Sequence, residues 1–304
     1  MKVSVIISTY SLERFNDVLD CINSLSRQTL LPYEVILVLD PVEELREFYV
    51  SRVPSHVKIV ISEEKGLSNA RNAGVRRAFG NVVAFIDDDA VADKDWLRIL
   101  VKNYDDLDVL GVGGLVMPVW ENGRPIWFPE ELDWVVGCSY KGLPEHKSCV
   151  RNPIGCNMAF RKDVFEKVGY FKSDIGRQGK KLLGSEEAEF STRMIGIIPN
   201  AKIIYDPSAI VHHNVPKSRA GFRYFMRRSF YEGVSKRLME KVESNPTDVL
   251  SVEKQYIKYL LKVSIPLRLK RIHILNNVLQ LFTLLTSASL VLMGYFICDL
   301  LNLR

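Results

Sequence analysis

The 304-residue chain has only five cysteines, Cys21, Cys138, Cys149, Cys156 and Cys298, and none stands in a CxxC pair or in a close cluster with histidine. That spacing argues against a structural zinc site and a disulfide framework, and a reducing compartment is expected for the main body. Charge of one sign is also scarce. Lys and Arg number 41 against 36 Asp and Glu, and the net +5 comes from basic residues late in the chain. Such a balance does not make a nucleic-acid surface, and no RNA- or DNA-binding signature is present. Internal repeats and low-complexity tracts are absent. The apolar run from Lys2 to Ser8 is too short for a membrane span and has no cleavage site, so a strand is expected there and not a signal peptide. A full GxGxxG loop is missing too. Gly111-Val112-Gly113-Gly114 lacks the spacing and the strand–helix context of a dinucleotide site.

What is there is 47% hydrophobic, enough for one large α/β domain with an appendage or for two domains. Val3 to Ile7, Val35 to Leu39, Val57 to Ile61 and Val82 to Ile86 read as buried strands. Leu12, Phe15, Val18, Leu19, Ile22 and Leu25 recur at helical spacing, and residues 67–79 read as a second helix. This alternation implies an α/β fold with a mainly parallel sheet and helices on both faces. Ligands of such sheets sit at the C-terminal strand ends, which singles out Ser8-Thr9-Tyr10, Asp40 and Asp87-Asp88-Asp89. From Gly111 to Pro153 the frequent Gly, Pro and Trp predict irregular loops and short strands. Helices are expected from about Lys162 and over Glu186 to Met194, then a short strand over Lys202 to Tyr205. Two or three more helices should fill residues 219–298.

Several short stretches carry chemistry. Three carboxylates at the end of a buried strand repel one another and are costly to desolvate. A divalent cation, Mg²⁺ or Mn²⁺, relieves both costs and can stabilise a departing diphosphate; a solvated acidic turn is the competing reading. Glu64 to Gly74 joins a glycine turn to a helix start with Arg71 nearby, which suits an anionic or nucleotide ligand. Gly184-Ser185-Glu186-Glu187-Ala188-Glu189 puts three acids at a helix start. They favour the helix dipole in any case, and one of them in a cleft could serve as a general base. His212-His213 follows the short strand and its Pro207 turn, and an imidazole can complete a metal shell begun by carboxylates.

Taken in chain order, these pieces resemble family-2 glycosyltransferases of the GT-A fold. The matching stretches are Val5 to Tyr10, Ile36 to Asp40, Gly66 to Gly74, Val83 to Asp89, Gly155 to Arg161, Gly184 to Phe190 and His213 to Pro216. The resemblance covers about residues 1–240 and implies roles. Thr9, Tyr10, Asp40 and Arg71 would line the nucleotide pocket, with Asp88 beside them. Asp87, Asp89 and His213 would hold the metal, and Gly155 and Asn157 would lie near the donor sugar and acceptor. Glu187 would take the acceptor proton as its oxygen attacks the anomeric carbon, with inversion. The family more often has Glu-Asp-x-Asp where this chain has Glu186-Glu187-Ala188-Glu189, which leaves Glu186 as the competing base.

The expected organisation is a catalytic domain over residues 1–216, a basic helical extension over 217–271 and a membrane helix over 272–304. Leu275 to Ile297 contains no charged residue, long enough to span a bilayer or to lie in it. Lys254, Lys258, Lys262, Arg268, Lys270 and Arg271 precede it with no intervening acid, which places the catalytic domain on the cytoplasmic side of the cell membrane. Arg219, Arg223, Arg227 and Arg228, read as one helix with Phe222 and Phe225, are candidates for an acceptor phosphate, Arg227 and Arg228 above all. The expected partners are a nucleotide-sugar donor, UDP-linked in the first instance, and a polyprenyl- or dolichyl-phosphate acceptor or its glycosylated form, in glycan or glycoprotein assembly. A soluble or cell-surface polysaccharide acceptor is the nearest alternative. A sugar-phosphate nucleotidyltransferase would need a glycine-rich, basic loop after the first strand, which Ser8 to Arg14 is not. A non-catalytic scaffold would predict a broken acidic set, and Asp87, Asp89 and Glu187 are all present.

Overall fold

The structure is a computed structural model, and it describes residues 1–174, 176, 182–242 and 250–300. The first half alternates strand and helix as expected: β1 (Val3–Thr9), α1 (Phe15–Ser26), β2 (Glu34–Leu39), α2 (Glu43–Val50), β3 (Val57–Ile61), α3 (Leu67–Arg77) and β4 (Val82–Asp87). These are followed by β5 (Ala90–Ala92), α4 (Trp96–Lys102), β6 (Val109–Trp120), β7 (Ser148–Cys149), β8 (Asn157–Arg161), α5 (Asp163–Val168), α6 (Glu186–Ile197) and β9 (Lys202–Val215). Helices α7 (Phe222–Val242), α8 (Ser251–Tyr259), α9 (Ile265–Leu269) and α10 (Leu275–Leu300) complete the described chain, with a π-helical turn, Leu260–Ser264, joining α8 to α9.

The strands form one sheet in the order β3-β2-β1-β4-β8-β6-β9-β5, and β7 pairs with β9 off this path. The pairings among β1 to β4 are parallel, but β8 runs antiparallel to both β4 and β6, so the sheet is mixed. Side-chain alternation sorts the core into two layers. Val3, Val5 and Ile7 of β1, with Val35, Leu37 and Leu39 of β2, face α1, α2 and α4. Ile6, Ile36, Val38, Val83 and Phe85 face α3, α5 and α6 on the other side. Phe225 of α7 and Leu284 of α10 are buried in the first of these layers, so the C-terminal helices share the catalytic core.

Three sequence expectations are corrected here. The region after Gly111 begins as part of a regular twelve-residue strand, β6. Its glycines serve close approach: a Cβ on Gly114 would stand 2.0 Å from the Ala209 carbonyl oxygen, and one on Gly113 would stand 2.4 Å from the Pro153 ring. Likewise His212 and His213 do not follow a short strand. They lie within the fourteen-residue β9, paired with Val91 and Ala90. Pro207 is tolerated because the β6–β9 register shifts where Gly114 pairs with Asp206 and Leu115 with Ile210, which bulges out the intervening residues. Arg219 also belongs to a separate turn, Lys217–Arg219, before α7 starts.

Candidate active site

β4 ends in Asp87, and the turn into β5 buries Asp88 and Asp89. Their repulsion is answered by three cations. Arg14, from the turn after β1, hydrogen-bonds Asp88 and donates to Asp89 Oδ2 at 3.0 Å. His213 Nε2 lies 3.2 Å from Asp89 Oδ1, and Arg219 Nη2 lies 3.5 Å from Asp89 Oδ2. Burial outweighs the pull of Arg14 on Asp88 and raises its pKa to about 6. Burial pushes Asp89 the same way, but His213, then Arg219 and Arg14, hold it well below the usual carboxylate range. Burial depresses His213, and the Asp89 carboxylate more than reverses this, to about 10.

One guanidinium joins this acidic turn to the acids of α6. Arg71 Nη1 donates to Glu186 Oε1 at 2.7 Å, and Nη2 donates to Asp87 Oδ1 at 3.3 Å and to the Gly155 carbonyl at 2.9 Å. Gly155 permits that approach, because a Cβ there would lie 3.1 Å from Arg71 Nη2. Arg71, expected to line the nucleotide pocket, is 3% exposed and spent inside the protein. Ser185 enters α6 with φ 78°, a left-handed conformation uncommon outside glycine, and so aims the first turn. Glu186 is thereby committed to Arg71. Glu187 has no ion-pair partner among the described residues, and burial, then Glu186, raises its pKa to about 7. Arg228 of α7 approaches the same turn: a Cβ on Gly184 would lie 3.3 Å from its Nη2. It pairs with Glu232 at 2.7 Å, and Arg227 is exposed on the helix.

On the β1–β2 side, Asp40 accepts from the Gly66 N–H at 3.3 Å, and burial raises its pKa above the usual value. Gly66 has φ 113°, a conformation that favours glycine. Tyr10 is exposed and lies over Arg14, 5.2 Å from guanidinium to ring centroid, in a cleft that Asp89 and Asn214 also line. Thr9 is buried at the end of β1.

Asn157 departs from expectation. It is fully buried and faces the sheet interior, where Oδ1 accepts from Trp96 Nε1 at 2.8 Å. Its Nδ2 donates to the Leu115 and Ala209 carbonyls at 3.0 and 2.8 Å. Both amide N–H donors are used and the side chain is buried away from the cleft, so it does not meet a sugar. Asn157→Ala should therefore cost stability first: about 1–3 kcal/mol for each group left unpaired gives ~3 kcal/mol or more. Urea unfolding checks this, and an unchanged midpoint would return Asn157 to a role in the cleft.

A cation fits the donor atoms present. A carboxylate oxygen of Asp87, the sulfur of Cys156 and a ring nitrogen of His213 all lie within 4.8 Å of one another. Asp89, expected as a ligand beside them, has both oxygens engaged by Arg14, His213 and Arg219. Sequence reasoning missed Arg14 and Cys156 and put Arg219 with the acceptor arginines. Arg14 follows β1 and Arg219 follows β9, each shortly after a stretch that the sequence singled out, and that adjacency was the only available signal. Cys156 carried none beyond lying between Gly155 and Asn157.

Residues 4–169 match the model of glycosyl transferase family 2. The chain is 35% identical over 302 residues to a glucosyl-dolichyl phosphate glucuronosyltransferase of Haloferax volcanii, covering 97% of this chain and 95% of that protein. Among solved structures it resembles the mannosyltransferase PcManGT of Pyrobaculum calidifontis in complex with GDP-Man and Mn²⁺. The TM-score is 0.58 at 18% identity, over 95% of this chain and 73% of that one. GalNAc-T7 with UDP, GalNAc and Mn²⁺ gives a TM-score of 0.53 at 16% identity, over 87% of this chain and 56% of that one. These likenesses show the GT-A fold.

Proposed function

The chain belongs to glycosyl transferase family 2, and from that premise we propose that it moves a sugar, with inversion, from a nucleoside diphosphate to a hydroxyl of a lipid-phosphate-linked glycan. The observation that carries the mechanism is the split between the two acids of α6. Glu186 is held by Arg71, while Glu187 has no ion-pair partner among the described residues and a pKa of about 7. A carboxylate so poised can accept a proton near neutral pH. In the step, the acceptor oxygen bonds to the anomeric carbon from the face opposite the diphosphate. The bond from that carbon to the diphosphate oxygen breaks, and the hydroxyl proton passes to Glu187. Arg14 and Arg219, already arrayed around Asp88 and Asp89, would meet the charge of the leaving diphosphate.

Asp87 and His213, with the Cys156 sulfur beside them, would hold a divalent cation once the imidazole gives up its proton, and Asp89 would join them by exchanging its present pairing for the ion, which would supply Lewis-acid stabilisation of the diphosphate. A donor set with imidazole and sulfur favours Mn²⁺ over Mg²⁺. Asp40 and Tyr10 would receive the nucleoside. The lipid-linked acceptor is supported by the full-length similarity to the Haloferax enzyme, whose name specifies a dolichyl phosphate acceptor.

The test offers purified enzyme a panel of nucleotide sugars with Mn²⁺ or Mg²⁺. Acceptors are a short prenyl-phosphate sugar and the corresponding free sugar. Transfer to the lipid-linked acceptor is expected, with half-saturation at least about tenfold lower for Mn²⁺ than for Mg²⁺. Equal use of the free sugar would remove the lipid acceptor, and full transfer in excess chelator would remove the metal.

A further inference from the structure

α10 is long and apolar enough to cross a membrane, and only 28% of its most apolar stretch is buried. Its attachments argue against crossing. Near its start, Gln280 accepts from Arg268 at 3.1 Å and donates to the Ile126 carbonyl at 3.2 Å. Midway, Ser287 Oγ lies 3.2 Å from Ser229 Oγ. The backbones of α7 and α10 touch at two glycines: a Cβ on Gly233 would stand 1.9 Å from the Val291 oxygen, and one on Gly294 would stand 2.0 Å from the Phe230 oxygen. Near its end, Asp299 pairs with Arg237 at 2.8 Å and with Lys241 at 2.7 Å.

Gln280 and Asp299 are nineteen residues apart, about 29 Å of helix, which is close to the thickness of a bilayer's hydrocarbon core. A span would put them on opposite sides of that core, yet both are bonded to the same body. The helix between them is α7, whose other face carries the paired Arg228, Glu232 and Lys236. Carrying these charges to mid-bilayer with α10 is unfavourable.

The remaining face of α10 is apolar. Leu275, Val278, Phe282, Leu285, Leu292 and Phe296 are 41–66% exposed and recur along one stripe. The preceding segment also exposes Leu261 and Leu267, and with them Lys258, Lys262, Lys270 and Arg271. No carboxylate occurs between Glu253 and Asp299. An apolar stripe accompanied by cations alone fits the surface of a bilayer that contains anionic lipid.

We propose that α10 lies in the plane of such a surface, apolar stripe inward, with α7 as its bed on the protein side. One helix spacing, about 10 Å, then separates α10 from the helix that carries Arg228 beside the first turn of α6. The proposal does not depend on which sugar or acceptor the site takes.

Two experiments on the full chain test it. In sealed vesicles of one orientation from expressing cells, Asn276→Cys and Asp299→Cys are placed singly in a Cys149→Ser background, which removes the exposed native thiol. Both should react with an impermeant maleimide from the same side; reaction from opposite sides would make α10 a span and overturn the proposal. Purified protein is also mixed with phosphatidylcholine vesicles with and without phosphatidylglycerol. Phe282→Glu with Phe296→Glu should weaken binding about tenfold or more with an unchanged thermal melt, because both side chains are exposed. Binding should fall when phosphatidylglycerol is omitted. Wild-type affinity in the double variant, or a wild type that ignores vesicles and dimerises through this face, would overturn the proposal.

Discussion

Asp89→Asn should lower sugar transfer by about three orders of magnitude, because it removes a charge around which the site is assembled. Lewis-acid stabilisation of a leaving group is worth several kcal/mol, and each 1.4 kcal/mol is about one decade of rate. Asp89 is 6% exposed and is the shared counter-ion of Arg14, His213 and Arg219. Both this variant and Asp89→Ala break the buried pairs with the three cations, at about 3–5 kcal/mol, and Asp89→Ala adds a void that the asparagine fills. The two variants separate chemistry from folding. The asparagine form keeps the shape and should stay folded, yet lose Mn²⁺ binding measured by titration calorimetry. Retained transfer and retained Mn²⁺ binding in Asp89→Asn would leave the carboxylate a structural counter-ion.

The role of Asp89 as a shared counter-ion was not legible in the sequence. Asp87-Asp88-Asp89 is conspicuous after a buried strand, but its neutralisation comes from Arg14 and Arg219, more than seventy and more than a hundred residues away. Strands β1 to β4 were readable because each is a short apolar run closed by polar residues. β6 was not, and β9 was readable only over Lys202 to Tyr205, since the glycines of β6 and Pro207 of β9 look like loop signals. Those residues answer to the neighbouring strand: Gly114 to the Ala209 carbonyl, and Pro207 to a register shift. Asn157 illustrates the same limit. Its motif marked it as special, but only the packed sheet shows its amide committed to Trp96, Leu115 and Ala209. The ambiguity between Glu186 and Glu187 was of this kind too: the contact of Arg71 with Glu186 is visible only in the fold, and it supports the proposal of Glu187 as the base.

Glu187→Gln should reduce kcat by about two to four orders of magnitude while leaving donor binding nearly unchanged. The substitution keeps the size of the side chain and removes only its ability to take a proton. The sign of the pH dependence follows from the raised pKa. A general base works when ionised, and burial beside Glu186 lifts this carboxyl to about 7. Wild-type kcat should therefore be flat above that value and fall roughly tenfold per unit as pH drops below it. The residual rate of Glu187→Gln should lack that limb. Glu186→Gln should behave differently. It leaves an amide oxygen to accept from Arg71 but removes the counter-charge of a buried guanidinium, so the loss should appear as lower stability, with the acid limb kept and moved to lower pH because Glu186 no longer raises Glu187. A bell or limb that survives in Glu187→Gln and vanishes in Glu186→Gln would move the base one residue back, and with it the register of the whole first turn of α6 toward the acceptor.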